Sequence, residues 1–252
     1  MYKIPANTLF LGKQLVFVPE CHSTNTLALQ LSQNTSTLEG AVIITNNQTA
    51  GRGQRGNSWE AAPGMNLTFS VVLRPGFLAP KDQFYLNIIT SLAVRDYLIG
   101  KTNEPVVIKW PNDILVQKKK ICGILIENQI QGSSLVSAVV GIGLNVNQTN
   151  FQKDTATSLK LVTNTEASLE SALHELLHFL ETRYLQLRQQ NTSALREEYL
   201  SNLYCRNEQH EFSSGDTTFM GTIQGIDETG RLVVDTVQGL KYFGIKEIIF
   251  VR

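Results

Sequence analysis

Between residues 106 and 146 the chain carries four apolar, β-prone runs in close succession: VVIKW, DILV, KICGILIEN and SLVSAVVGIGLNV. Gaps this short suit hairpin turns, whereas parallel strands need a long crossover. The stretch therefore argues against a repeated strand–helix–strand wrap. Two further strand candidates precede it. AVIIT (41–45) is a short apolar run, and in NLTFSVVL (66–73) Leu67, Phe69, Val71 and Leu73 alternate as in a sheet with one covered face. From Asp82 to Leu98, Phe84, Tyr85, Ile88, Ile89, Leu92 and Ala93 fall at helix spacing. A second stripe, Leu169, Leu173, Leu176, Leu177, Leu180 and Tyr184, predicts a helix over 169–187, with a shorter one over 193–203.

After Cys205 the texture changes to short β-rich pieces, EFSS, TTFMGTIQGI, GRLVVDT and GLKYFGIKEIIFV, separated by turns such as Asp227-Glu228-Thr229-Gly230. The expected architecture is α+β: a mixed or antiparallel central sheet with helices packed on it (1–205), then a small β-barrel (206–252). With 252 residues, 42% hydrophobic and 17% charged, the chain can bury a substantial core. Lys plus Arg number 22 and so do Asp plus Glu, so no global field draws it to DNA or an anionic membrane. No run of about 18 apolar residues appears, and the start lacks a signal-peptide pattern. Three scattered cysteines (Cys21, Cys122, Cys205) and four histidines give neither a disulfide framework nor zinc spacing. A reducing cytoplasm is the expected compartment.

Residues 49–59, TAGRGQRGNSW, contain G-x-G-x-x-G at Gly51, Gly53 and Gly56. A dinucleotide loop leads into a helix whose N-terminus holds the pyrophosphate. Here Pro63 and Gly64 follow, with no helical stripe before the next strand, so the NAD reading loses its context. No Lys-Ser or Lys-Thr follows the last glycine, so it is not a Walker loop either. What remains is a glycine loop with Arg52 and Arg55, whose forked donors suit carboxylate or phosphate. A solvated surface turn would read the same way.

Three other segments bear on that choice. KWPND (109–113) ends a strand with Lys109 and bends at Pro111, so that Asn112 and Asp113 could face a cavity, with Asp113 near Mg²⁺ or an arginine. KKKICGILIE sets Lys120 at the head of an apolar strand, where its ammonium could enter a pocket while Lys118 and Lys119 stay in water. CHSTNTLA places Ser23, Thr24 and Asn25 at a helix start, suited to capping or to hydrogen-bonding a small polar ligand. An ordinary turn, a solvated lysine hairpin and a simple cap are the plain alternatives.

Taken together, these segments resemble the biotin protein ligases. The matching pieces are Ser23-Thr24-Asn25, Gln48-Thr49-Ala50-Gly51-Arg52-Gly53, Trp59, Lys109-Trp110-Pro111-Asn112-Asp113, Lys120 with Gly123, and Gly141-Ile142-Gly143-Leu144-Asn145-Val146-Asn147. The resemblance implies a class II synthetase-like catalytic domain followed by an SH3-like barrel. It also implies two-step chemistry: biotin and Mg²⁺-ATP give biotinyl-5′-AMP, and a lysine of a biotin carboxyl carrier domain then takes the biotinyl group. On this resemblance Lys120 and Arg52 are the catalytic residues. Ser23, Thr24, Asn25, Gln48, Gly51, Arg52, Gly53, Gln54, Lys120 and Gly123 would bind biotin. Arg55, Trp59, Lys109, Asn112, Asp113 and Asn145 would serve the nucleotide, Asp113 also Mg²⁺, and TATSLKL (155–161) would form a second closing loop.

The loop departs from the GRGRRGR of repressor-type ligases, with Gln54 and Asn57 in place of arginines. Adenylate retention is then expected to rest more on Arg52 and Arg55. The Ser-Thr-Asn motif arrives by residue 23, so a ligase without an N-terminal DNA-binding domain is expected. Rivals are a lipoate or octanoate ligase of the same fold, or a non-catalytic biotin- or adenylate-binding protein. The oligomeric state is open, although strands of the central sheet could pair across a two-fold axis.

Overall fold

In the computed structural model of the chain, residues 2–34 and 36–251 are described, except for the Arg55 side chain. β1 (Leu15–Cys21) leads into α1 (Thr24–Ser32) and β2 (Val42–Gln48), followed by β3 (Leu67–Leu73) and α2 (Tyr85–Ile99). The four expected runs become β4 (Val106–Lys109), β5 (Asp113–Val116), β6 (Lys119–Gln131) and β7 (Ser134–Leu144). Together they make a seven-stranded sheet in the order β1-β2-β3-β7-β6-β5-β4. Only β1 and β2 are parallel, joined through α1; the other neighbours are antiparallel. β1 carries no clean sequence signal, because Pro19 and Glu20 interrupt its pattern; as an edge strand it tolerates both.

β3 corrects the alternation argument. All seven of its residues are buried, not every second one. Leu67, Phe69, Val71 and Leu73 join the main core with α2 and the later helices. Val72 packs with Ala28 of α1 in a second cluster, and the Ser70 hydroxyl lies within hydrogen-bond distance of both the Thr24 hydroxyl and Asn25 Oδ1. A central strand with layers on both faces hides its polar residues as well.

α3 (Leu159–Thr163), α4 (Leu169–Arg188) and α5 (Thr192–Ser201) follow the sheet. Apart from the half-buried Leu169, the predicted leucine stripe of α4 is buried, each buried side chain contributing about 1.5–3 kcal/mol. Glu181 interrupts that stripe. Only 4% exposed, it accepts the backbone N–H groups of Leu9, Phe10 and Leu11 and so ties down the N-terminal segment. Arg183 binds Asp96 of α2 and Glu198 of α5, locking three helices together.

The C-terminal pieces form β8 (Gln209–Ser214), β9 (Thr217–Ile226), β10 (Leu232–Thr236), β11 (Gly239–Phe243) and β12 (Ile249–Phe250), an antiparallel sheet in the order β11-β10-β9-β8-β12. It is closely docked. Trp110 Nε1 donates to the Gly230 carbonyl at 2.9 Å, and Arg196 donates to the carbonyls of Ile226 and Asp227. One hydrophobic cluster includes Phe212, Ile223 and Val234 together with Leu92 and Ile108 of the first sheet's layer.

Candidate active site

A cavity of about 480 Å³ opens on the α1 face of the large sheet, within the usual size range of small-molecule sites. Its floor follows from strand register. Gly123, Gly143 and Thr68 lie in one cross-strand row, and Leu125, Gly141 and Ser70 in the next. Successive residues of a strand point to opposite faces, so the Gly-x-Gly of β7 bares two adjacent positions on the same face. Side chains lie directly on this bare backbone. A methyl on Gly141 would overlap the Asn25 amide, and one on Gly143 would overlap the Trp59 indole.

Asn25 is 3% exposed and completely oriented. Its Nδ2 donates to the Leu125 carbonyl (3.1 Å) and to Glu127 Oε2 (2.8 Å), while its Oδ1 accepts from Ser70 (2.6 Å). Gln48 Oε1 accepts from the backbone N–H and hydroxyl of Thr24. Ser23 occupies the N-cap position of α1, yet its side chain makes no capping bond; the residue lines the cavity.

The glycine loop closes on itself as a small hairpin. Trp59 N–H donates to Gly51 O and Gly53 N–H to Asn57 O, with a 3-10 turn over Gln54–Gly56 at the tip. No helix follows before β3, which disposes of the dinucleotide reading. The loop carries Arg52, Gly53, Gln54 and Trp59 to the cavity. Arg52 reaches Glu127 of β6 at 2.6 Å. Trp59 Nε1 is buried without a hydrogen-bond partner among the described residues.

Opposite the loop, the expected bend after β4 brings Lys109, Asn112 and Asp113 to the wall. Lys120 Nζ stands 2.7 Å from Asp113 Oδ1 and 5.5 Å from the Trp59 ring centre. The Lys120 backbone is clamped by the expected closing segment: its N–H donates to Thr155 O, and Thr157 N–H donates to its carbonyl. Lys118 and Lys119 remain exposed. Asn112 Nδ2 donates to the Ile124 carbonyl, so part of its amide holds β5 to β6. Lys109 Nζ lies 4.7 Å from the Phe250 ring centre. Burial pushes the Cys122 thiol well above its ordinary value, and beside Lys120 it offers no thiolate nucleophile.

Two expected contacts fall elsewhere. Asn145 does not line the cavity: it is buried, with its Nδ2 donating to Thr157 O, on the strand end behind Lys120. Gly51 shapes the loop without reaching the wall. The Arg55 side chain lies outside the described residues. Conversely, Ile245, Lys246, Ile248, Ile249 and Phe250 form one wall. No local motif marks them, because only the docking of the second sheet brings them there.

The biotin/lipoate A/B protein ligase family model matches residues 18–145. The chain belongs to this family. The stretch matched holds the whole of the cavity apart from its C-terminal wall. Among curated relatives, the bifunctional ligase/repressor BirA of Bacillus spizizenii is 30% identical over 93% of this chain and 73% of its own length. The biotin–[acetyl-CoA-carboxylase] ligase of Paracoccus denitrificans is also 30% identical, over 90% of this chain and 97% of its own. A solved biotin protein ligase from Aquifex aeolicus, in complex with biotin and ATP, superposes with a TM-score of 0.79. It is 26% identical and covers 95% of this chain and 99% of that one. The family fold thus includes the second sheet.

Proposed function

We infer that the protein is an ATP-dependent biotin protein ligase: it activates biotin as biotinyl-5′-AMP and transfers the biotinyl group to a carrier lysine. The observation that carries this reading is Lys120 and Arg52 facing a single cavity with the Thr24–Asn25–Gln48 layer beside them. In the first step a biotin carboxylate oxygen attacks the α-phosphorus of ATP and the Pα–O bond to pyrophosphate breaks. Lys120 and Arg52 draw the two anions together and stabilise charge on the phosphoryl oxygens. In the second step an uncharged lysine amine attacks the anhydride carbonyl and AMP leaves.

Ser23, Thr24, Asn25 and Gln48 supply the mixed donors and acceptors that a ureido head needs. Trp59, Lys109, Asn112 and the wall Ile245–Phe250 flank the nucleotide, with Gly53 and Gln54 closing the loop. Asp113 is the one carboxylate among the lining residues, and it fits Mg²⁺ held chiefly by nucleotide phosphates. A bound Mg²⁺ would neutralise phosphate charge. Asp113 also holds the Lys120 ammonium on the cavity side. The acceptor would be a biotin carboxyl carrier domain of a carboxylase, and the setting a reducing cytoplasm; the three free cysteines agree with the latter. Residues 1–205 and 206–252 would be its catalytic and barrel domains. Pairing across a two-fold axis remains part of the proposal.

ATP–pyrophosphate exchange tests the reading, comparing biotin with lipoate and octanoate. Exchange that requires biotin and falls about 100-fold or more in Lys120→Ala is the expected result. Exchange with lipoate or octanoate alone would keep the family and overturn the substrate.

A further inference from the structure

Glu127 closes the KKKICGILIE segment without being one of the expected site residues and does not line the cavity, yet it joins the two parts of the site. Gly123, Leu125 and Glu127 share one face of β6 by strand alternation. At the rim, Glu127 Oε2 accepts from Arg52 NH2 at 2.6 Å and from Asn25 Nδ2 at 2.8 Å. Asn25 is bonded through Ser70 to Thr24, and Thr24 to Gln48. A continuous chain of hydrogen bonds therefore runs from the glycine loop to the buried polar layer.

We propose that Glu127 is a positioning residue that latches the glycine loop to the acid-binding layer. It acts on both ends at once. On Asn25, it fixes which end of the amide donates: the NH₂ must face Glu127 and Leu125, leaving the carbonyl for Ser70. On Arg52, it holds a single NH2 group; the other guanidinium N–H groups bond no described residue and are left for a ligand anion. The carboxylate also offsets part of the guanidinium charge before an anion arrives, so the loop rests closed without a ligand. Charge-assisted bonds of this kind are about twice as strong as neutral ones. Glutamine keeps the size and an acceptor oxygen but removes the charge.

Ligand-free protein is the direct test, because trypsin cleaves after Arg52 and Arg55, within the latched loop. Glu127→Gln should raise cleavage within residues 52–56 by about fivefold, with an unchanged melting temperature and no new cut elsewhere. The second readout rests on the proposed ligase activity. In biotin-dependent exchange, Glu127→Gln should raise KM for biotin more than it lowers kcat. Its effect should also not multiply with that of Arg52→Lys in the double variant. Cleavage at the wild-type rate, or effects on exchange that simply multiply, would overturn the latch. Proteolysis needs no substrate, so it decides the latch even if no acid supports exchange.

Discussion

At the scale of single residues, the site depends on what is missing as much as on what is present. The bare backbone at Gly143 is where the Trp59 indole lies. In Gly143→Ala the methyl should lift the indole, lowering biotin-dependent exchange about tenfold, or about 1.4 kcal/mol. The melting temperature should scarcely change, because the displaced ring belongs to a surface loop. The chain has two tryptophans. Trp110 is buried with its N–H bonded to Gly230, so a change of emission on ligand binding should come from Trp59. A Trp59→Phe variant that keeps the ligand-induced change would contradict this. Lys120 was legible in the sequence from its place at the head of an apolar strand. Glu127 was not, since a glutamate ending GILIE looks like any half-exposed strand residue.

At the scale of elements, two carboxylates hold segments in place. Glu181 on α4 binds three backbone N–H groups of the N-terminal stretch. Glu181→Ala leaves those donors without their carboxylate, the buried Leu11 N–H among them, and should destabilise by about 3 kcal/mol, read from the urea midpoint. Asp227 shapes the turn before β10. Burial alone raises its carboxyl, but hydrogen bonds from Arg231 and Thr229 outweigh that and hold it below the ordinary value of 3.8. A depressed folded value means that the stabilisation is complete above the unfolded value. It is lost as pH falls below about 3.8 through the folded one. Asp227→Asn should therefore flatten the acid limb of stability between pH 5 and 2 and leave its shape near neutrality unchanged. The apolar stripe of α2, the leucine stripe of α4 and the four hairpin strands were readable because their periods are unambiguous. β1 was not, because an edge strand needs no alternating pattern.

At the scale of the whole molecule, the two sheets share one hydrophobic cluster, and the second sheet supplies a wall of the cavity. Calorimetry should accordingly show a single cooperative transition rather than two. Removing residues 206–252 should lower stability of the remainder and weaken nucleotide use together. A milder probe is Trp110→Phe, which loses the bond to Gly230. It should cost about 1 kcal/mol and lower the melting temperature by about 2–4 °C. Two separate transitions, with the first sheet unaffected by the deletion, would refute this coupling.

By itself the sequence determined the local matters: strand and helix periods, the hairpin succession, the absence of a helix after the glycine loop, and which side chains carry charge. These are properties of neighbours along the chain, where periodicity and backbone restrictions act directly. Tertiary structure alone decided that Asn145 faces inward, that β3 is buried on both faces, that Glu127 joins Arg52 to Asn25, and that Ile245–Phe250 close the cavity. Each of those depends on the register and docking of segments far apart in the chain, and no local pattern encodes which face a distant sheet will cover.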